Sequence, residues 1–228
     1  MIIKNTYLRS HTKFIDKIIH DKRLEIISII KEKINKNDFK DILDIGTTAD
    51  TSKSSNVIVK SLKNFKVYKS ISDQKITSNF FLKTLQKSIT KELSSNEFNV
   101  YRSDVVISNA TIEHVGSYQK QLKMLENIVK LTKKIFIIVT PNRMHPIEFH
   151  SQIPFIHWLP KKLHRKILSI VGLSYLSKEK NLNLLKTSNI VNLMKKFNNT
   201  EYEIKYVKFL LLKSNIILIG KKKNSNLY

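Results

Sequence analysis

Apolar, β-branched runs of strand length recur along the chain, with helix-like patterns between them. DILDI (41–45), FKVYKSI (65–71), SDVVIS (103–108) and KIFIIVT (134–140) are largely continuous rather than alternating. Strands buried on both faces read this way, whereas a one-sided sheet alternates apolar with polar positions. Ile26, Ile27, Ile30 and Ile34 form one apolar stripe on a helix ahead of the first strand. Leu122, Leu125, Ile128 and Val129 form another on a helix over 119–131. This alternation predicts an α/β fold, a parallel sheet flanked by helices with right-handed crossovers. The last two runs, EIKYVKFLLL and NIILIG, are joined through Lys213 and Ser214 and read as a hairpin. It would set an antiparallel strand at the end of the sheet.

No repeat or Pro/Gly/Ser-rich linker divides the 228 residues, so one domain is expected. Its parts are an N-terminal helical segment (1–38), a cofactor-binding half (39–140), a substrate-side insertion (141–200) and a closing β-hairpin (201–220). Composition adds limits. At 41% hydrophobic and 26% charged, the chain can bury a sizeable core. Having no cysteine, it can form neither disulfides nor thiolate metal sites nor a thiol nucleophile. No run approaches the roughly 20 apolar residues that span a bilayer, and MIIKNTYLRSHTKF lacks the pattern of a secretory signal. A cytoplasmic protein is expected.

The formal charge is +23, from 41 basic and 18 acidic residues. Two readings of it stand. It could attract an anionic partner such as nucleic acid, acidic headgroups or an acidic glycan. It could equally reflect a composition rich in Lys, Asn, Ile and Ser throughout, since no basic arm interleaved with aromatics is present.

Ligands of open α/β sheets bind beyond the carboxyl ends of the strands. The first strand ends in ILDIGTTAD, with Asp44 near its end and Gly46 opening the turn, where glycine permits a positive φ and close backbone approach. The second is followed by Asp73, placed where a carboxylate can accept ribose hydroxyls or simply face solvent. SDVVISNATIEHVG then sets Asn109, Glu113 and His114 just past another strand end.

Taken together, ILDIG, the acidic residue after the second strand and the block SDVVISNATIEHVG…TPNRMHPIEFHSQIPFIHWLP resemble class I S-adenosylmethionine-dependent methyltransferases of the methyltransferase type 11 kind. The likeness covers roughly residues 40–170 and is most specific over 103–160. It implies a Rossmann-like, mostly parallel seven-stranded sheet with a reversed last strand, helices on both faces, and S-adenosylmethionine as cofactor. It implies Asp44 and Gly46 beside the methionine moiety, Asp73 on the ribose, and Asn109 lining the pocket. Glu113 and His114 match the EH pair of that family. Thr47, Thr48 and Ala49 replace the usual glycines of the first motif; a D-[IV]-G-x-[ST]-x-D variant would bring in Asp50 and Asn56. Ser88 falls where an Asp often contacts the adenine.

All four prolines, Pro141, Pro146, Pro154 and Pro160, lie in one segment. They argue for a folded loop with short helical pieces. Five of the seven histidines (His114, His145, His150, His157 and His164) lie there or just before it. Three roles compete for this segment. The His145, Glu148 and His150 spacing could be mistaken for a metal site, but no regular element puts all three on one face, and no metal is expected. Arg143 and His150 could bind an anion or move a proton. Arg143, Glu148 and Trp158 could instead pin the loop. His114, His150 and Arg143 are the catalytic candidates.

The expected activity is methyl transfer to a small molecule, a lipid or a glycan precursor. A noncatalytic scaffold with an altered cofactor loop, and a nucleic-acid methyltransferase, are the alternatives. Nothing in the pattern fixes the oligomeric state.

Overall fold

The computed structural model describes residues 13–34, 39–50 and 55–223, which form one sheet covered on both faces. Seven strands run in the order β3-β2-β1-β4-β5-β7-β6. They are β1 (Asp41–Ile45), β2 (Val67–Ser72), β3 (Lys83–Gln86), β4 (Ser103–Asn109), β5 (Thr132–Pro141), β6 (Thr200–Phe209) and β7 (Leu212–Lys222). All neighbours through β5 are parallel; β7 alone runs against β5 and β6. The expected mostly parallel seven-stranded sheet with its reversed strand is the one observed.

Why the strand sequences are continuously apolar is visible in the packing. Successive strand side chains point to opposite faces. Leu43, Ile45, Val106, Phe136, Ile138 and Leu218 pack on one face against α4 (Tyr118–Leu131) and α6 (Thr187–Met194). Ile42, Val105, Ile107, Ile137, Val139 and Ile217 pack on the other against α1 (Lys13–Ile34) and the short α2 (Val57–Ser61). The stripe Ile26, Ile27, Ile30 and Ile34 is the buried face of α1. Two further helices complete the chain: α3 (Ser95–Tyr101), begun by a capping box between Ser94 and Glu97, and α5 (Lys161–Ile170), which starts directly after Pro160.

Gly220 pairs with Phe136 across β7 and β5. A Cβ there would come within 2.1 Å of the Phe136 ring, so glycine leaves the room that ring occupies.

One expectation is corrected. The hairpin turn is not at Lys213 and Ser214, which lie inside β7, but at Leu210 and Leu211. Both leucines have positive φ (49° and 64°) and are exposed. Register decides this: Phe209 pairs with Leu212, and a bulge between Val207 and Lys208 absorbs the mismatch. The FLLLK run carries none of the Asn or Gly that usually marks such a turn.

Candidate functional site

The carboxyl ends of β2, β1, β4 and β5 lie side by side, and the candidate residues gather there. Gly46 leaves β1 with φ +87°, its N–H bonded to the Ile71 carbonyl at 2.9 Å. A Cβ on it would fall 2.0 Å from Oγ1 of Thr111. Conformation and space therefore both require glycine.

Asp44 is buried behind this turn, where Thr47 donates its hydroxyl to Oδ2 at 2.7 Å. Burial raises the Asp44 pKa to about 6, and the Thr47 bond opposes the rise. Ser72, at the end of β2, donates to the Thr47 carbonyl at 2.6 Å and so ties the two strand ends.

The loop that follows has no second glycine and is shaped by side chains instead. Asn56, itself at φ 56°, accepts from the Thr48 N–H at 3.0 Å and donates to the Thr48 carbonyl at 2.9 Å. Gln74 accepts from the Ala49 N–H, and Ser55 donates to the Asp50 carboxylate. Asp50 and Asn56, expected on the cofactor, are engaged in forming the loop. Thr51, Ser52, Lys53 and Ser54 lie outside the described residues.

Asp73 is exposed immediately after β2, and Asn109 is half-buried at the end of β4. Ser88 shares a hydrogen bond with Thr90 at 2.9 Å, just past β3.

Beyond Asn109 the chain makes a short 3-10 turn over Ile112–His114. Glu113 is fully buried; its Oε2 accepts from Thr140 at the end of β5 (2.9 Å), while Oε1 has no hydrogen-bond donor among the described residues. The His114 Nδ1 lies 2.6 Å from the Asn181 carbonyl. Since a carbonyl only accepts, Nδ1 carries the proton and Nε2 keeps a lone pair. That Nε2 lies 3.1 Å from the Nε2 of His150 and 4.0 Å from Oε1 of Glu113.

His150 is buried and held by Glu148, which accepts both its ring Nδ1–H and its backbone N–H, as well as the Ser151 N–H. Burial opposes charge on His150, but the Glu148 carboxylate, and behind it Glu113, outweigh burial and raise its pKa. Burial also works against the Glu148 charge, and His150 with two backbone donors overcomes it and lowers the pKa. His114 moves the other way: burial, aided by the charge of His150, lowers its pKa against the pull of Glu113. The two rings thus differ in proton affinity although they touch.

A clamp from the insertion fixes this turn. Asn183 donates its N–H to the Glu113 carbonyl (2.7 Å) and its amide to the Gly116 carbonyl (2.6 Å). It accepts Gln121 at its own carbonyl (2.9 Å) and Lys161 at Oδ1.

Arg143 has the loop-pinning arrangement of the three weighed above. Its guanidinium donates to the carbonyls of His157 and Leu159, each at 2.8 Å. It also edges a cleft of about 350 Å³ with Met144, Trp158, Pro160 and Lys161. His145 is held by Ile147 and by the Phe209 carbonyl, 3.2 Å from its Nε2, so it does not join His150. Thr140, Asn181 and Asn183 were not foreseen. Only the position of Thr140 at a strand end gave any sequence signal.

No family model matches the chain, and no curated protein sequence does. Solved structures do match. The magnesium protoporphyrin IX methyltransferase of Synechocystis PCC 6803 with bound SAM aligns with a TM-score of 0.52 at 9% identity, over 95% of this chain and 87% of that one. The N-methyltransferase NodS of Bradyrhizobium japonicum WM9, in complex with S-adenosyl-L-homocysteine, aligns at 0.52 and 7%, over 89% and 86%. A small RNA methyltransferase aligns at 0.56 and 13%, over 89% of this chain and 25% of that one. At these identities the likeness is one of fold, and the fold is the Rossmann-like one of class I methyltransferases.

Proposed function

We propose that this chain is an S-adenosylmethionine-dependent methyltransferase that methylates a hydroxyl-bearing small molecule, lipid or glycan precursor. The observation that carries the reading is the convergence of Gly46, Asp73 and Asn109 at the carboxyl ends of three adjacent strands, on a fold shared with methyltransferases crystallised with SAM or SAH. The donor set fits the cofactor. An exposed carboxylate after β2 suits ribose hydroxyls, and a glycine turn after β1 admits the backbone approach that an amino-acid moiety needs.

When bound, S-adenosylmethionine supplies an activated methyl on sulfur, so the protein has chiefly to position the acceptor in line. Asp44, buried behind the glycine turn, holds that turn through Thr47. His114 and His150 are the polar groups beside the end of β4 that serve an acceptor hydroxyl, with Glu148 orienting His150. A hydroxyl is a poor acid, and a group that takes its proton accelerates attack.

The test is calorimetric titration with S-adenosylmethionine and S-adenosylhomocysteine, beside an Asp73→Ala variant. Micromolar binding that the substitution abolishes supports the reading. A folded protein that binds neither compound returns it to the scaffold alternative, which the self-bonded loop of Asn56, Thr48 and Gln74 favours.

A further inference from the structure

Glu113, His114 and His150 each offer one ligand-type atom, and the three atoms lie within 4.8 Å of one another. From this geometry we infer that the three residues form a binding site for a divalent first-row transition-metal ion. The inference goes beyond methyl transfer and does not depend on it.

Four observations carry it. First, spacing: ligands about 2.0–2.2 Å from a tetrahedral ion stand roughly 3.4 Å apart. The pair distances of 3.1 Å (His114 Nε2 to His150 Nε2) and 4.0 Å (Glu113 Oε1 to His114 Nε2) bracket that value.

Second, the far nitrogens are committed as metal-bound imidazoles require. His114 Nδ1–H donates to the Asn181 carbonyl, and His150 Nδ1–H donates to the Glu148 carboxylate. A carboxylate or carbonyl behind each ring fixes the tautomer and directs Nε2 forward.

Third, Glu113 is 0% exposed and its Oε1 meets no donor among the described residues. A buried carboxylate oxygen without a partner is costly, and an ion at this point supplies one.

Fourth, one of the three residues borders solvent. The His114 side chain is 15% exposed, whereas His150 and Glu113 are closed in. Three protein ligands leave a coordination position for water or, if the methyltransferase reading holds, for the acceptor hydroxyl.

Two imidazoles and one carboxylate suit zinc, iron(II), cobalt or nickel, and suit magnesium poorly. The ligands belong to two separate segments. Glu113 and His114 come from the turn after β4, and His150 from the insertion after β5, so an ion would bind the insertion to the sheet.

The experiment titrates the chelator-treated full chain with Zn²⁺ by calorimetry and with Co²⁺ by visible absorption. One equivalent is expected, with the intense d–d bands of a low-symmetry cobalt site. His150→Gln and Glu113→Gln should abolish it. Glu148→Gln, which alters the partner behind His150 and the acceptor of two backbone N–H groups, should weaken it by about 10–100-fold in protein shown to be folded. His20→Ala, at an exposed histidine of α1, should leave it unchanged. Because the buried variants could fail to fold, ¹⁵N-histidine spectra of the unaltered protein provide a second reading. Zinc should move the Nε2 signals of two histidines together. No stoichiometric binding, unchanged Nε2 signals, or equal affinity in folded His150→Gln overturns the inference. Parallel S-adenosylmethionine titrations with and without metal keep the two proposals separate.

Discussion

Gly46 stands directly against Thr111: a single methyl on Gly46 would overlap the threonine hydroxyl, which itself bonds to the Ile45 and Asn109 carbonyls at 3.3 and 3.1 Å. This contact joins the turn after β1 to the turn after β4. The cofactor side and the acceptor side of the proposed site therefore share one wall.

Gly46→Ala should destabilise the protein by about 2–4 kcal/mol, combining a left-handed backbone penalty with overpacking. Thr111→Ala in the same chain should recover part of this, because it removes the two nearest atoms but leaves the Thr111 Cβ contact at 2.8 Å and the φ strain. Denaturant midpoints for the double-mutant cycle check it. Strict additivity would contradict the shared wall.

Asp44 is retained at a cost to stability. Its folded pKa, about 6, lies above the ordinary aspartate value of 3.8, so the native state binds more protons between those values. Stability should fall as pH rises from about 4 to about 6, with a contribution of about 3 kcal/mol once the carboxylate is charged. Asp44→Asn should remove that slope and raise the melting temperature at pH 8 but not at pH 4. A variant that melts lower at both values would contradict it.

Glu148→Gln should cost about 1–3 kcal/mol at neutral pH, because it sets a buried amide against the N–H donors of His150 and Ser151 that the carboxylate accepts. The Glu148 pKa is depressed. Its stabilisation is thus present above the ordinary carboxylate range and lost as pH falls below it. The gap between wild type and variant should close toward low pH in urea melts.

His150→Ala should lower kcat by about 100-fold or more while changing S-adenosylmethionine affinity by no more than about twofold. Equal losses in both would remove His150 from the acceptor side.

Leu210 and Leu211 occupy positions where Asn-Gly is favoured. Leu210→Asn with Leu211→Gly should stabilise the hairpin by about 1–2 kcal/mol, read as a rise in melting temperature. No rise would mean that the exposed leucines gain elsewhere what they lose in strain.

The sheet was legible because it is covered on both sides. Ile42 and Leu43, adjacent in sequence, are both fully buried, so the run itself announces its place. The Leu210–Leu211 turn was not legible, because its backbone is dictated by pairing of β6 with β7 and its residues carry no turn chemistry. Within the site, Asp44, Gly46 and the EH pair could be read from strand ends. Which atoms meet could not. His145 and His150 are five residues apart and separate, whereas His114 and His150 meet across 36 residues. The carbonyl of Asn181, which aims the His114 ring, comes from tertiary packing across 67 residues that no local period encodes, whereas Glu148 aims His150 from two positions away. Asn56 was legible as a side chain of the loop but not as its fastener.

Asn183 uses its backbone N–H and C=O and both ends of its amide to bind the turn after β4, α4 and α5. The order of synthesis then matters. A nascent chain that has released only β1 through β5 has its parallel strands but not the residue that fastens the Glu113 turn, and β5 still lacks its partner β7. The histidine pair can therefore be fastened only after β1 through β5 have emerged, and the sheet keeps an open edge at β5 until β7 follows. Conditions that slow translation of the final third should expose that edge to aggregation before the protein has acquired its chemistry.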